Sequence, residues 1–171
     1  KLIALYTTRP EPKAFKIIQK LMPKYPVQIQ YVDRPKLNQL VNSDDHQGLV
    51  AMVQTYGYRR AFFDSKKHPF IVLLDGVQDV RNFGAILRSA YCTGADGVVM
   101  CKRGGASLTA AAHKASAGLA EHISIYQAAS IQEAMQLLKK SGYTIYVTAF
   151  NGEDATKVAY TTPACIVIGS E

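Results

Sequence analysis

The side chains best suited to chemistry lie in one stretch, LLDGVQDVRNFGAILRSAYCTGADGVV, from Leu73 to Val99. Asp75 and Gly76 follow an apolar run there, and open α/β sheets place ligands just past the carboxyl ends of their strands. Asn82 comes next, at the start of a stretch with helical spacing, and Arg88 stands about one and a half turns further on. Asn82 can cap the helix, Gly84 permits a close backbone approach, and Arg88 presents a planar set of donors that suits a phosphate. Periodicity by itself leaves two readings equal: a phosphate-binding site, and a capped helix carrying one exposed arginine.

Other chemistries find little in the chain. No G-x-G-x-x-G stands between a strand and a helix, and no G-x-x-x-x-G-K-[ST] occurs, which argues against dinucleotide oxidoreductases and P-loop nucleotidases. His46, His68, His113 and His122 lack the spacing of a helical metal pair, and no G-x-S-x-G marks a hydrolase nucleophile. The three cysteines, Cys92, Cys101 and Cys165, have neither Cys-x-x-Cys spacing nor a histidine at ligand distance, so they read as buried thiols in a reducing cytoplasm rather than disulfides or a metal site. The expectation is no metal.

The elements that must position Asn82 and Arg88 alternate along the chain. Leu2 to Thr7 reads as a strand, Glu11 to Met22 as a helix stopped by Pro23 and Pro26, Val27 to Val32 as a strand, Pro35 to Val41 as a short helix, and Gly48 to Gln54 as a strand. This is a small β-α-β-α-β unit over residues 1–54. Between Thr55 and Pro69 the apolar period fades into Tyr56, Tyr58, Arg59, Arg60, Lys66, Lys67 and His68. Residues 55–69 therefore read as a linker, either a solvated connector or an RNA-contacting segment in which Arg59, Arg60, Lys66 and Lys67 meet phosphates.

From residue 70 to 171 the alternation resumes. Phe70 to Leu74 is a continuous apolar strand, Asn82 to Gly94 a helix, Gly97 to Cys101 a strand, and Leu108 to Ala117 an Ala-rich helix ended by Gly118. Ile123 to Tyr126 is a strand, Ser130 and Glu133 form a capping box that opens a helix closed by Gly142, and Tyr143 to Ala149 and Ala164 to Ile168 supply the last strands. The predicted fold class is α/β, an open and mostly parallel sheet with helices on both faces. No apolar run approaches the roughly 20 residues that cross a bilayer, so no membrane partner is expected. With 20 Lys+Arg against 13 Asp+Glu, a net charge of +7 and a pI near 9.3, the chain suits a polyanionic partner such as RNA.

DVRNFGAILRSAYCTGADGVV resembles the first motif of the SpoU/TrmH-type RNA ribose 2′-O-methyltransferases of the SPOUT superfamily, whose Asn-x-Gly-x-x-x-Arg core is matched by Asn82, Gly84 and Arg88. HKASAGLAEHISI, from His113, is similar to the Ser-Ala-Gly segment that follows in this family, and IVIGSE, from Ile166 to Glu171, to the start of its second motif. The N-terminal unit, with HQGLVAMV from His46, is similar to the L30-like substrate-binding domain that often precedes the catalytic one. Two features depart from the family: Asp79-Val80-Arg81 replaces the usual Asp-Pro or His-Asn before the motif, and the third, Ser-Leu-Asn motif is absent. The chain thus reads as a fragment, with the SPOUT trefoil knot expected only in the complete protein.

The resemblance implies methyl transfer from S-adenosyl-L-methionine to a ribose 2′-hydroxyl of RNA, with rRNA or tRNA as substrate and rRNA the first choice, by a cytoplasmic homodimer. It points to Arg88 as catalytic, fixing a phosphate and stabilising developing alkoxide charge, since a guanidinium with pKa above about 12 is no base at neutral pH. Asn82 and Glu171 are expected to orient Arg88 or the ribose, and Thr148, Ala149, Phe150 and Gly169 to hold the cofactor. The general base is left unassigned. The rival reading is a non-catalytic RNA-binding module of the same fold.

Overall fold

A computed structural model of the chain describes residues 1–22 and 24–169. They form two compact units, Lys1–Thr55 and Tyr56–Glu171.

The first unit runs β1 (Leu2–Thr7), α1 (Lys13–Lys20), β2 (Gln28–Tyr31), α2 (Arg34–Val41) and β3 (Leu49–Val53). Its sheet has the order β2-β1-β3, with β2 parallel and β3 antiparallel to the central strand. The helix predicted from Glu11 begins instead at Lys13, because Pro12 sits in the extended region as its N-cap. Glu11 is then free to accept a hydrogen bond from the Tyr31 hydroxyl at 2.7 Å. Asp33 caps α2 by accepting the Lys36 N–H at 3.1 Å, and Pro35 suits the first helical turn, where no N–H is needed. Phe15 of α1 and Leu37 of α2 are buried in this unit. His46 is structural here: its ring pairs with the Asn38 side-chain oxygen at 2.7 Å and accepts the Gly48 N–H at 2.9 Å.

The second unit carries β4 (Phe70–Asp75), α3 (Val80–Cys92), β5 (Gly97–Cys101), α4 (Ala110–Ala115), a 3-10 turn (Leu119–Glu121), β6 (Ser124–Ala128), α5 (Ile131–Lys140), β7 (Thr144–Val147) and β8 (Ala164–Gly169). Its five strands are all parallel, in the order β6-β5-β4-β8-β7. Alternate residues of β4 explain the layers. Val72 and Leu74 pack with Phe83, Leu87 and Ala112 of α3 and α4 on one face, and Ile71 and Leu73 with Ala134 and Leu138 of α5 on the other. A strand buried on both faces has no polar alternation, which is why the run at Phe70–Leu74 is continuously apolar. Ser130 opens α5 as predicted, accepting the Glu133 N–H at 3.2 Å while the Glu133 carboxylate returns to the Ala129 N–H.

The stretch 55–69 is not a solvated connector. Phe63 is 2 % exposed within the core under α5, and the Phe62 ring packs edge-on against Tyr126 at 5.2 Å. Arg59 donates its N–H to the Ile125 carbonyl at 2.8 Å and bridges β6 in parallel, and the Tyr56 hydroxyl donates to the Ile123 carbonyl. Tyr143 holds the far end by donating to the His68 carbonyl at 2.6 Å, and burial pushes its phenol up to about 12. The segment covers the free edge of β6, where unpaired strand groups would otherwise face water. No helix among the described residues is long and apolar enough to cross a membrane.

Candidate active site at the carboxyl ends of the central strands

Helix α3 opens at Val80, two residues before the predicted start, and its cap is Asp79 rather than Asn82. The Asp79 carboxylate accepts the Asn82 N–H at 2.7 Å from an extended backbone. Aspartate caps as well as asparagine does, and it stands where the chain turns into the helix. The correction releases the Asn82 side chain, which is exposed, for other partners.

Gly84 faces protein, not open space. A Cβ built on it would lie 2.6 Å from both the Ala112 carbonyl oxygen and the Ala115 Cβ, so the motif's glycine lets α4 press directly on α3. The segment that closes α4 is equally structural. Ser116 is wholly buried, donates its hydroxyl to the His113 carbonyl at 2.9 Å and accepts the Ala120 N–H at 3.3 Å. His113 lies 3.5 Å from Glu121, and the His122 ring packs on Tyr91. Among the described residues no group of three or more His, Cys, Asp or Glu could hold a metal ion.

Strand order fixes where a ligand would go. From β4 the chain passes to β5 and β6 on one side, then crosses to β7 at the opposite edge and returns inward to β8. The crevice between β4 and β8 is therefore the topological switch point, the preferred ligand position in such sheets. Asp75 and Gly169 stand side by side there in register. An added Cβ on Gly169 would meet nothing within 4 Å, so this edge is open. Next to it, Thr148 is locked onto β8, its N–H and hydroxyl both donating to the Val167 carbonyl at 3.2 and 2.9 Å. Ala149 is exposed, and Phe150 presents a ring that is 99 % exposed.

The expected site residues are only partly gathered. Asn82 and Gly169 line one groove of about 940 Å³ between α3 and the β4–β8 pair, floored by Phe70, Val72, Ile166 and Ile168. Arg88 is exposed on another side of α3, about 120° around the axis from Asn82 at about 100° per residue. Glu171 lies outside the described residues. In the 55–69 segment Arg60, Lys66 and Lys67 are exposed, whereas the Arg59 guanidinium is engaged, 4.5 Å over the Phe63 ring with its Nε donating to the Ala61 carbonyl at 3.2 Å. Sequence reading missed Phe62 and Phe63, whose adjacent rings inside a basic stretch were the available signal, and the apolar floor of the groove, which had none. Of the three cysteines expected to be buried, only Cys165 is; Cys101 is half-buried, and Cys92, on the solvent side of α3, is exposed. Burial raises the Cys165 thiol to about 12, and burial with Asp75 and Glu133 nearby raises that of Cys101.

A parallel α/β sheet whose switch crevice is flanked by an Asn-x-Gly-x-x-x-Arg helix defines the class, and comparison with known proteins gives the family. The model of the SpoU rRNA methylase family matches residues 69–171, and that described as RNA 2′-O ribose methyltransferase substrate binding matches residues 1–59. The putative TrmH family tRNA/rRNA methyltransferase YacO of Bacillus subtilis is 36% identical over 159 residues, covering 89% of this chain and 64% of its own length. An uncharacterized tRNA/rRNA methyltransferase of Synechocystis is 34% identical over 150 residues, covering 84% of this chain and 39% of its own. In structure, the SpoU methyltransferase AviRb from Streptomyces viridochromogenes, solved with AdoMet, matches with a TM-score of 0.78 at 20% identity, covering 100% of this chain and 67% of its own. An AdoMet-bound rRNA methyltransferase from Sinorhizobium meliloti matches at 0.74 and 20% identity, covering 98% of this chain and 62% of its own. The chain belongs to the SpoU rRNA methylase family. It spans at most 64% of the length of these curated relatives.

Proposed function

We propose that the full-length protein is an S-adenosyl-L-methionine-dependent RNA 2′-O-ribose methyltransferase that acts on rRNA, or failing that tRNA, as a cytoplasmic homodimer. The observation that carries this reading is the juxtaposition at the switch crevice: α3, with the family's motif, follows β4 where Asp75 stands in register with Gly169 of β8. The residues present suit the cofactor. Thr148 is held rigidly, Gly169 leaves room for backbone approach, and the bare Phe150 ring offers an apolar face to a flat heterocycle. When bound, S-adenosyl-L-methionine supplies a methyl group already activated on a sulfonium.

The protein then has two tasks, to align the ribose hydroxyl for in-line attack and to stabilise charge on its oxygen. Arg88 suits the second, together with fixing the adjacent phosphate, because its fork of donors stays charged at every relevant pH. Asn82 and Glu171 are assigned to orienting the ribose or Arg88. The test combines the full-length protein, radiolabelled S-adenosyl-L-methionine and RNA from cells lacking the gene, with 2′-O-methyl positions mapped on the product. Arg88→Ala should lower turnover about 100-fold or more, with cofactor affinity and melting temperature unchanged. Turnover within about threefold of wild type would remove Arg88 from the site. RNA binding without methyl transfer by the wild type would leave the non-catalytic RNA-binding module.

A further inference from the structure

Arg81 belongs to the tripeptide by which this chain departs from the family's motif, and its side chain has no partner among the described residues. It is exposed in the first turn of α3, and its side chain makes no hydrogen bond or ion pair among the described residues. Its own helix does not favour it, since the amino end of a helix dipole repels a cation. A second pair of cations sits at the same edge of the sheet. Lys102 and Arg103 follow β5 in an exposed loop, and their side chains too have no partner among the described residues. The loop is pinned, not free: Lys102 donates its N–H to the Ala128 carbonyl at 2.9 Å, and Ala106 donates to the Val77 carbonyl at 2.7 Å, three residues before α3 begins. Of the described carboxylates beside these cations, Asp79 accepts the capping N–H, Glu133 accepts the Ala129 N–H, and Asp75 is exposed.

We infer that Arg81, Lys102 and Arg103 form a basic ledge that holds the phosphates of RNA flanking the reacting nucleotide, separately from Arg88. This rests on the RNA methyl-transfer reading and extends it to residues outside the motif. Arg81 and Arg88 lie about 20° apart around α3 and about 10 Å apart along it, so one face of the helix reaches the backbone at two points. Cations held by backbone-anchored loops and left unpaired by protein suit a polyanion, because each phosphate neutralised releases condensed counterions.

The test is the salt dependence of RNA binding by the full-length protein, with an oligouridylate and an unmodified rRNA transcript as probes. The variant R81A/K102A/R103A should bind both more weakly and lose about two log units of slope on the single strand, at about 0.7 per contact. Its cofactor affinity and melting temperature should match the wild type. K139A/K140A, at the carboxyl end of α5 and hence the opposite edge of the sheet, should keep the slope. R81K with Lys102 and Arg103 intact should also keep it, since a point charge suffices for a phosphate. If the wild type binds RNA and the triple variant keeps its slope, the ledge is overturned and the methyltransferase reading stands. Failure of the wild type to bind either probe would overturn both.

Discussion

Gly84 shows how far the role of one residue depends on what it faces. In the sequence it sits between Asn82 and Arg88 and reads as a place where backbone can approach closely; in the structure the backbone that approaches is that of α4. The site and the core are therefore coupled through a single missing side chain. Gly84→Ala forces a Cβ to within 2.6 Å of the Ala112 carbonyl oxygen, and backbone on a packed helix cannot swing aside as a side chain can. The expected cost is about 1–3 kcal/mol, the usual range for overpacking, seen as a fall of several degrees in melting temperature. Turnover should fall with it, because α4 and α3 must separate and α3 carries Arg88. A fully stable Gly84→Ala variant would show that the interface yields. The separation of Arg88 from Asn82 around the helix follows from their spacing, but which of the two would line the groove did not, since that depends on which face the core claims.

Helix starts decide which side chains are left for chemistry. Two residues, Asp79 and Asn82, could open α3 by composition, and Asp79 does so, leaving Asn82 inside the first turn. Capping at Asp79 satisfies one of the helix's free N–H groups and sets a negative charge at the amino end of the dipole, where it is favoured. Asp79→Ala should therefore destabilise the second unit by about 1 kcal/mol, and Asp79→Asn by much less. Thermal unfolding of the two variants checks this; equal losses would mean that charge, not the cap, matters. Sequence signals located the capping box at Ser130 correctly because its two members are local and reciprocal. They misplaced the start of α3 because two good caps, Asp79 and Asn82, compete within four residues.

Across the whole molecule the informative surprise is the segment before β4. Arg59, Arg60, Lys66 and Lys67 dominate its composition, yet Phe63 anchors it in the core against Gly97, where a Cβ would lie 2.2 Å from the ring. The Phe63 ring and the bare backbone of β5 fit only each other. Phe63→Ala should cost about 3–5 kcal/mol, as for other fully buried aromatic rings. It should also speed trypsin cleavage after Arg59 and Arg60, because in the wild type Arg59 is hydrogen-bonded to β6. Cleavage there at wild-type rates would mean that the segment is held by its backbone bonds alone.

The sequence by itself determined the α/β class, the mostly parallel sheet and the motif helix, because these depend on local periodicity and on short-range caps. It also determined the family, through the spacing of Asn82, Gly84 and Arg88 and the Ser-Ala-Gly segment. Only the tertiary structure decided that Gly84 belongs to α4, that β8 rather than β5 flanks Asp75 at the switch crevice, and that residues 56–69 close a sheet edge. Those are long-range pairings. Strand order and the partner of a bare glycine arise from how separate elements fill one core, and no window along the chain contains that information.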